Sequence, residues 1–293
     1  MSFVISRKQY LAPNEAKAQY EPIIFGEEGF EVERIDVSFG HPLYTTLADI
    51  FYIRSVTDVM KTVPVIPDGC ISLVFKGCGE RKDAYICGAI DEIKKIDVYP
   101  EECYVFIRFL PGTGYPLAGD DAGGITNKTL DLRGSTIGGD QIISVLERDT
   151  SLEERIRLIS KVIRIHMQSD PTNKYLINYC TERIFQNQGN IRMDKLAAET
   201  GFTTRHIGKM FEKCVGLSPK LYSQVIRLQA SMNRIMEARN EPLVDIAVDC
   251  GFFDHAHMNR TYKKLIKCSS GEFRKSMFNK LDYDQVDDYI AVN

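Results

Sequence analysis

At 293 residues, 44% hydrophobic and 26% charged, the chain is longer than one core serves comfortably and too apolar for an extended disordered protein, so two folded domains are expected. No apolar run approaches the roughly 18 residues of a membrane span and the N-terminus lacks a signal-peptide layout, which points to a cytoplasmic protein without a membrane partner. The formal charge of −3 is unevenly spread: residues 1–173 hold 19 Lys+Arg and 26 Asp+Glu, residues 174–280 hold 18 and 10, and residues 281–293 hold four Asp and no base, so only the back half suits a polyanion.

The first hundred or so residues read as strands. In "RIDVSF" apolar Ile35, Val37 and Phe39 alternate with Arg34, Asp36 and Ser38, the period of a half-buried strand. "DIFYIRSV", "CISLVF", "DAYICGAI" and "ECYVFIRFL" follow, separated by Pro, Gly and Asp, and this spacing favours a small barrel or sandwich. On the last of these strands Arg108 alternates onto one face with Tyr104 and Phe106, which suits either a pocket for an anionic ligand with aromatic walls or a structural ion pair.

After "LPGTGYPLAGDDAGG" the pattern turns helical, with the helical part of the front domain expected over about 137–168. Leu152, Ile156, Ile159 and Ile163 form a stripe that serves either its own domain or a dimer. "MQSDPTNK" reads as the joint between a domain 1–170 and a second domain 171–280, with 281–293 an acidic tail.

From 174 onward only helices are expected. Ser218 and Pro219 supply an N-cap and an N1 proline for a helix of about twenty residues, and Gly201 and Gly251 each close a short helix before a second one starts. That is two helix-turn-helix units. In the first, Ile207, Met210, Phe211 and Cys214 face inward; Arg205, Gly208 and Lys209 face outward, and Thr203 and Thr204 can cap the helix or hold phosphate. In the second, Met258, Tyr262 and Leu265 face inward, and His255, Asn259, Arg260 and Lys263 are expected outward. Arg suits guanine and Asn suits adenine. A linker of about twenty residues is roughly 30 Å long, close to the roughly 34 Å between adjacent major grooves on one side of B-DNA.

The segments "KLAAETGFTTRHIGKMFEKCVGLSPKLYSQVIRLQAS" and "DIAVDCGFFDHAHMNRTYKKLIKCSSGEFR" resemble the DNA-binding domain of the AraC/XylS family of transcription regulators over about residues 175–276. The resemblance implies double-stranded DNA as partner, with Arg205, Gly208 and Lys209 reading one groove and His255, Ala256, Asn259 and Arg260 the next. It also implies a homodimer, with RNA polymerase as a further candidate partner. The front half is then a cupin-like β-barrel that binds a small effector, with Tyr104, Phe106 and Arg108 as candidate contacts; the alternative is a front domain that binds a protein partner or only dimerises. Lys267 and Ser270 depart from the family's Gly and Pro, so a looser last turn is expected, with Ser269 still capping the final helix.

Catalysis is not expected, and neither is a cofactor or metal. Residues 1–150 contain only His41, and no phosphate-binding glycine loop or Gly-x-Ser-x-Gly elbow occurs. His255 and His257, two apart, do not share a helix face. The eight cysteines form no Cys-x-x-Cys pair and read as reduced, mostly buried thiols.

Overall fold

The computed structural model describes residues 2–3, 25–26, 30–35, 37, 43, 45–56, 58–76, 83–133, 138–148, 150–166 and 171–278. The acidic tail, Asp36, Ser38, Phe39, His41 and residues 167–170, the first half of the expected interdomain joint, lie outside them.

The front domain is a pair of facing antiparallel sheets. The larger has the order β10 (Thr129–Asp131), β7 (Asp83–Cys87), β6 (Ser72–Lys76), β9 (Cys103–Phe109), β4 (Leu47–Ser55), β3 (Phe30–Ile35); opposite it lies a ribbon of β5 (Lys61–Val65) and β8 (Lys94–Val98). Short strands β1 (Ser2–Phe3) and β2 (Phe25–Gly26) pair beside them. The front domain is β-rich as expected, but among the described residues the strand pairing does not close into the ring of the expected cupin-like barrel.

Alternation on β9 sets the two faces of the large sheet. Cys103, Val105, Ile107 and Phe109 are buried on one side, while Tyr104, Phe106 and Arg108 line a cavity between the sheets. The buried side shares its core with α1 (Gly139–Leu146), which packs on β7, and with α2 (Leu152–His166). Ile156, Ile159 and Ile163 of α2 are at most 4% exposed, so this stripe serves its own chain. It is therefore not the surface through which the expected dimer forms.

Of the strand expected over "RIDVSF", Arg34 and Ile35 belong to β3, Val37 is buried outside a strand and the rest lies outside the described residues; β5, β8 and β10 were not anticipated. Pro64 argues against a strand, but a two-stranded ribbon leaves every strand an edge on which a missing N–H is tolerated. The cysteine expectation also needs amendment. Cys103 is in a disulfide, whereas Cys70, Cys87, Cys180, Cys214, Cys250 and Cys268 are free thiols.

The back half is helical: α3 (Pro171–Gln186), α4 (Met193–Thr200), α5 (Thr204–Val215), α6 (Pro219–Glu237), α7 (Leu243–Asp249), α8 (His255–Ile266) and a last helix, α9, over 270–278. Gly201, Gly216 and Gly251 take φ of +75°, +83° and +76°, the left-handed turns that end helices without a Cβ penalty. Ser218 Oγ accepts the Leu221 N–H at 3.2 Å and Pro219 follows at N1.

Candidate nucleic-acid interface and ligand cavity

In the first unit, Thr203 is the N-cap of α5, its Oγ1 accepting the His206 N–H at 3.2 Å. Ile207, Phe211 and Cys214 are buried, and the Phe211 ring meets Tyr222 of α6 at 5.8 Å. That packing leaves Thr203, Thr204, Arg205 and Lys209 exposed on the opposite face, with Gly208 half-buried and open space where a Cβ would stand.

In the second unit, Asp254 caps α8 by accepting the His257 N–H at 2.5 Å. Met258, Tyr262 and Leu265 are fully buried, and the Tyr262 hydroxyl lies 3.0 Å from Ser231 Oγ of the linker helix. Ala256, Arg260 and Lys263 are exposed. His255 and Asn259 differ from the expectation. Asn259 Oδ1 accepts the Ser270 N–H at 2.9 Å and its Oγ–H at 2.8 Å, and His255 Nε2 lies 3.2 Å from the Asn259 amide and 3.1 Å from Ser270 Oγ. Their polar atoms are drawn toward the start of α9. The departure at 270 is the physical reason: a serine in place of the family's proline has an N–H, and Asn259 accepts it.

The turn after α8 is not loose. Lys267 adopts the left-handed conformation at φ +61° despite its side chain, and Ser269 and Glu272 form a reciprocal cap, Ser269 N–H to Glu272 Oε2 at 2.6 Å and Glu272 N–H to Ser269 Oγ at 3.2 Å.

The cavity of the front domain has a volume of about 310 Å³, the lower end of small-molecule sites. Phe51 and Phe106 stack at 4.8 Å in one wall, and Val63 and Ile96 contribute to the other. Arg108 reaches it, but Asp49 lies 3.4 Å from its Nε and Asp68 3.2 Å from its terminal nitrogen. An anionic ligand would have to displace a carboxylate, so the simple pairing of Arg108 with an anion does not hold. Burial pushes the Asp68 carboxyl above its usual range even though Arg108 pulls it down. Tyr104 also lines the cavity, its hydroxyl donating to Glu102 at 2.6 Å; burial, then that carboxylate, raises its pKa. Among the described residues no group of three His, Cys, Asp or Glu is placed to hold a metal, and no helix is long and apolar enough to cross a membrane.

Three loops bordering this cavity also grip the helical half. Ile66, Asp68 and Cys70 line the cavity, while between them the Pro67 carbonyl accepts from buried Gln229 of α6 at 2.7 Å and Gly69 abuts Tyr222 so closely that a Cβ would lie 2.7 Å from its ring. Gly88 and Ile90 line it, and next to them the Ile93 N–H donates to the Leu265 carbonyl at 2.7 Å and Glu92 pairs with Lys267, at the end of α8. Asn127 and Lys128 line it as well. Beside them Ala122 N–H donates to the Lys213 carbonyl at 2.7 Å and Thr126 Oγ1 to the Gly216 carbonyl at 2.6 Å, at the end of α5. Sequence reasoning missed this, because single loop residues carry no periodic signal.

Two helix-turn-helix units on a shared linker helix, attached to a cavity-bearing double sheet, define a two-domain protein with a bipartite DNA-binding domain. Residues 196–276 match the family model described as a helix-turn-helix domain, and residues 41–131 match a domain of unknown function, DUF6597. Residues 196–276 are thus a helix-turn-helix domain, in agreement with the resemblance of this half to the AraC/XylS regulators. It is similar to the HTH-type transcriptional regulator Rv1931c of Mycobacterium tuberculosis, at 31% identity over 30% of this chain and 34% of that one. It is also similar to the uncharacterized HTH-type transcriptional regulator YbfI of Bacillus subtilis, at 28% identity over 36% and 38%. The matches thus span about a third of the length of these relatives. Among solved structures, ToxT of Vibrio cholerae aligns over 84% of this chain and 98% of its own, at 11% identity and a TM-score of 0.40.

Proposed function

We propose that the chain is a sequence-specific transcription regulator whose affinity for double-stranded DNA answers to a small molecule held between the two sheets. The observation that carries this reading is the double use of the loops at 66–70, 88–93 and 122–128. Each lines the cavity and each bonds to a different part of the DNA-binding half, namely the linker helix, the end of α8 and the end of α5. A ligand that shifts any of these loops acts directly on how the two units are held, which is the differential contact that allosteric coupling requires.

Arg205 and Lys209 read the first half-site and Arg260 the second, with Thr204 and Lys263 positioned for phosphate. The linker helix of 19 residues is about 28 Å long, enough to set the units in adjacent major grooves. The front domain is also the expected site of dimerisation, through a surface other than the α2 stripe.

The test begins by enriching duplexes from a random pool. Arg205→Ala and Arg260→Ala should each weaken binding to the enriched duplex by about 1–3 kcal/mol and relax preference at one base position. Equal weakening on every sequence would make these residues phosphate anchors. Adding the small-molecule fraction of a cell extract should shift the affinity of the native protein but not of Val74→Phe, which fills the cavity. A response that survives in Val74→Phe, or that needs a protein from the extract, would overturn the ligand assignment.

A further inference from the structure

We propose that Phe253, with Ala256 beside it, is a base-reading contact of the second unit, an apolar patch that receives the 5-methyl group of a thymine in the major groove. This rests on the DNA-reading role proposed above and adds a residue that the family frame does not supply.

The two units differ by one residue in the turn. In the first, the N-cap Thr203 follows Gly201 by two positions; in the second, the N-cap Asp254 follows Gly251 by three. The additional residue is Phe253. Its neighbour Phe252 is buried at 4% exposure, with the Arg227 guanidinium 5.5 Å from its ring centre, whereas Phe253 is 87% exposed, so no part of the described chain covers its ring. A phenyl left in water forgoes the burial that would otherwise stabilise it.

Its backbone is nevertheless held. The Phe253 N–H donates to His257 Nδ1 at 3.3 Å, and the His257 N–H donates in turn to the Asp254 cap. The ring therefore projects from a fixed point at the N-terminal end of α8, the end from which a recognition helix of this type touches bases. Because His255 and Asn259 bond to Ser270, Phe253, Ala256, Arg260 and Lys263 are left facing outward, while the exposed Lys264 donates to Gln224.

Charge selects the occupant. Residues 174–280 carry 18 Lys+Arg against 10 Asp+Glu, and Arg260 and Lys263 stand exposed on the same helix as Ala256, so this surface favours a polyanion. Within the major groove the one apolar group on a base edge is the thymine methyl, and phenylalanine and alanine side chains are among its partners.

The test uses the full chain and the duplex it enriches from a random pool. Uracil is substituted for each thymine in turn, which removes only the methyl group. One such position is expected to weaken native binding about fourfold, the worth of one buried methyl-sized group. The same substitution should leave Phe253→Ala unaffected, while Phe253→Leu, which keeps an apolar contact, should retain part of the response. Sensitivity to uracil that is equal in native protein and Phe253→Ala would overturn the proposal. So would an unchanged duplex preference in Phe253→Ala accompanied by loss of binding to RNA polymerase, which would assign the ring to a protein contact. If the native chain enriches no duplex at all, the DNA-reading role itself fails, an outcome distinct from either.

Discussion

His257 shows how one side chain ties the second turn to its reading helix. Its Nδ1 accepts the Phe253 N–H, so the ring must be unprotonated at that atom, and its edge meets Phe252 at 5.5 Å. Desolvation, then the charges of Arg227 and Arg260, hold its pKa below the ordinary histidine value, with Asp254 opposing them. A histidine with a depressed folded pKa binds fewer protons folded than unfolded, so stability rises with pH through that interval. Its contribution is complete above the unfolded value of about 6.5 and is lost as pH falls toward and through the folded pKa. Thermal unfolding midpoints measured between pH 5 and 7.5 should therefore fall toward acid, and His257→Gln should flatten that slope while keeping an acceptor. A slope unchanged in His257→Gln would place the acid sensitivity elsewhere.

The reading helices were the most legible elements, since 3.6-residue periodicity puts Ile207, Phe211 and Cys214 inward without reference to anything outside α5. Legibility failed where a partner distant in sequence decides. Asn259 reads outward by period, yet a serine eleven residues on turns its amide inward, and Arg108 reads either as an anion site or as a structural ion pair until Asp49 is found across the β4–β9 pair and Asp68 at the loop. Strands β5 and β8 were hidden by Pro64 and by Lys94 and Lys95, residues that only an edge ribbon tolerates. Gly208 belongs to the same scale. It sits inside α5 with nothing within 4 Å of an added Cβ, so Gly208→Ala should raise stability by about 1 kcal/mol in denaturant unfolding. A helix that forgoes this gain on its outward face is expected to need the space for a base or a phosphate, and the same variant should bind its enriched duplex less tightly. A variant that is both more stable and equally tight would show that the glycine serves no contact.

For the whole molecule, the front and back halves share one continuous buried cluster, from Leu47 and Ile107 through Ile177 to Phe211 and Tyr222, so the chain is built to transmit strain across the junction instead of absorbing it in a linker. Coupling is reciprocal: if a ligand between the sheets alters DNA affinity, DNA must alter the loops that border the cavity. This makes the linkage testable before any effector is known. Backbone amides over 66–71, 88–93 and 122–128 should change their hydrogen-exchange protection when the enriched duplex binds. Gln229→Leu removes the donor to Pro67 and leaves that buried carbonyl without its partner, at a cost of about 1–3 kcal/mol. Thr126→Val removes the donor to Gly216. In these variants the DNA-induced change should shrink at the loop concerned and persist at the other two, because the three loops bond to separate elements. Identical exchange with and without DNA at all three loops in the native chain would separate the cavity from the reading helices and sink the coupling.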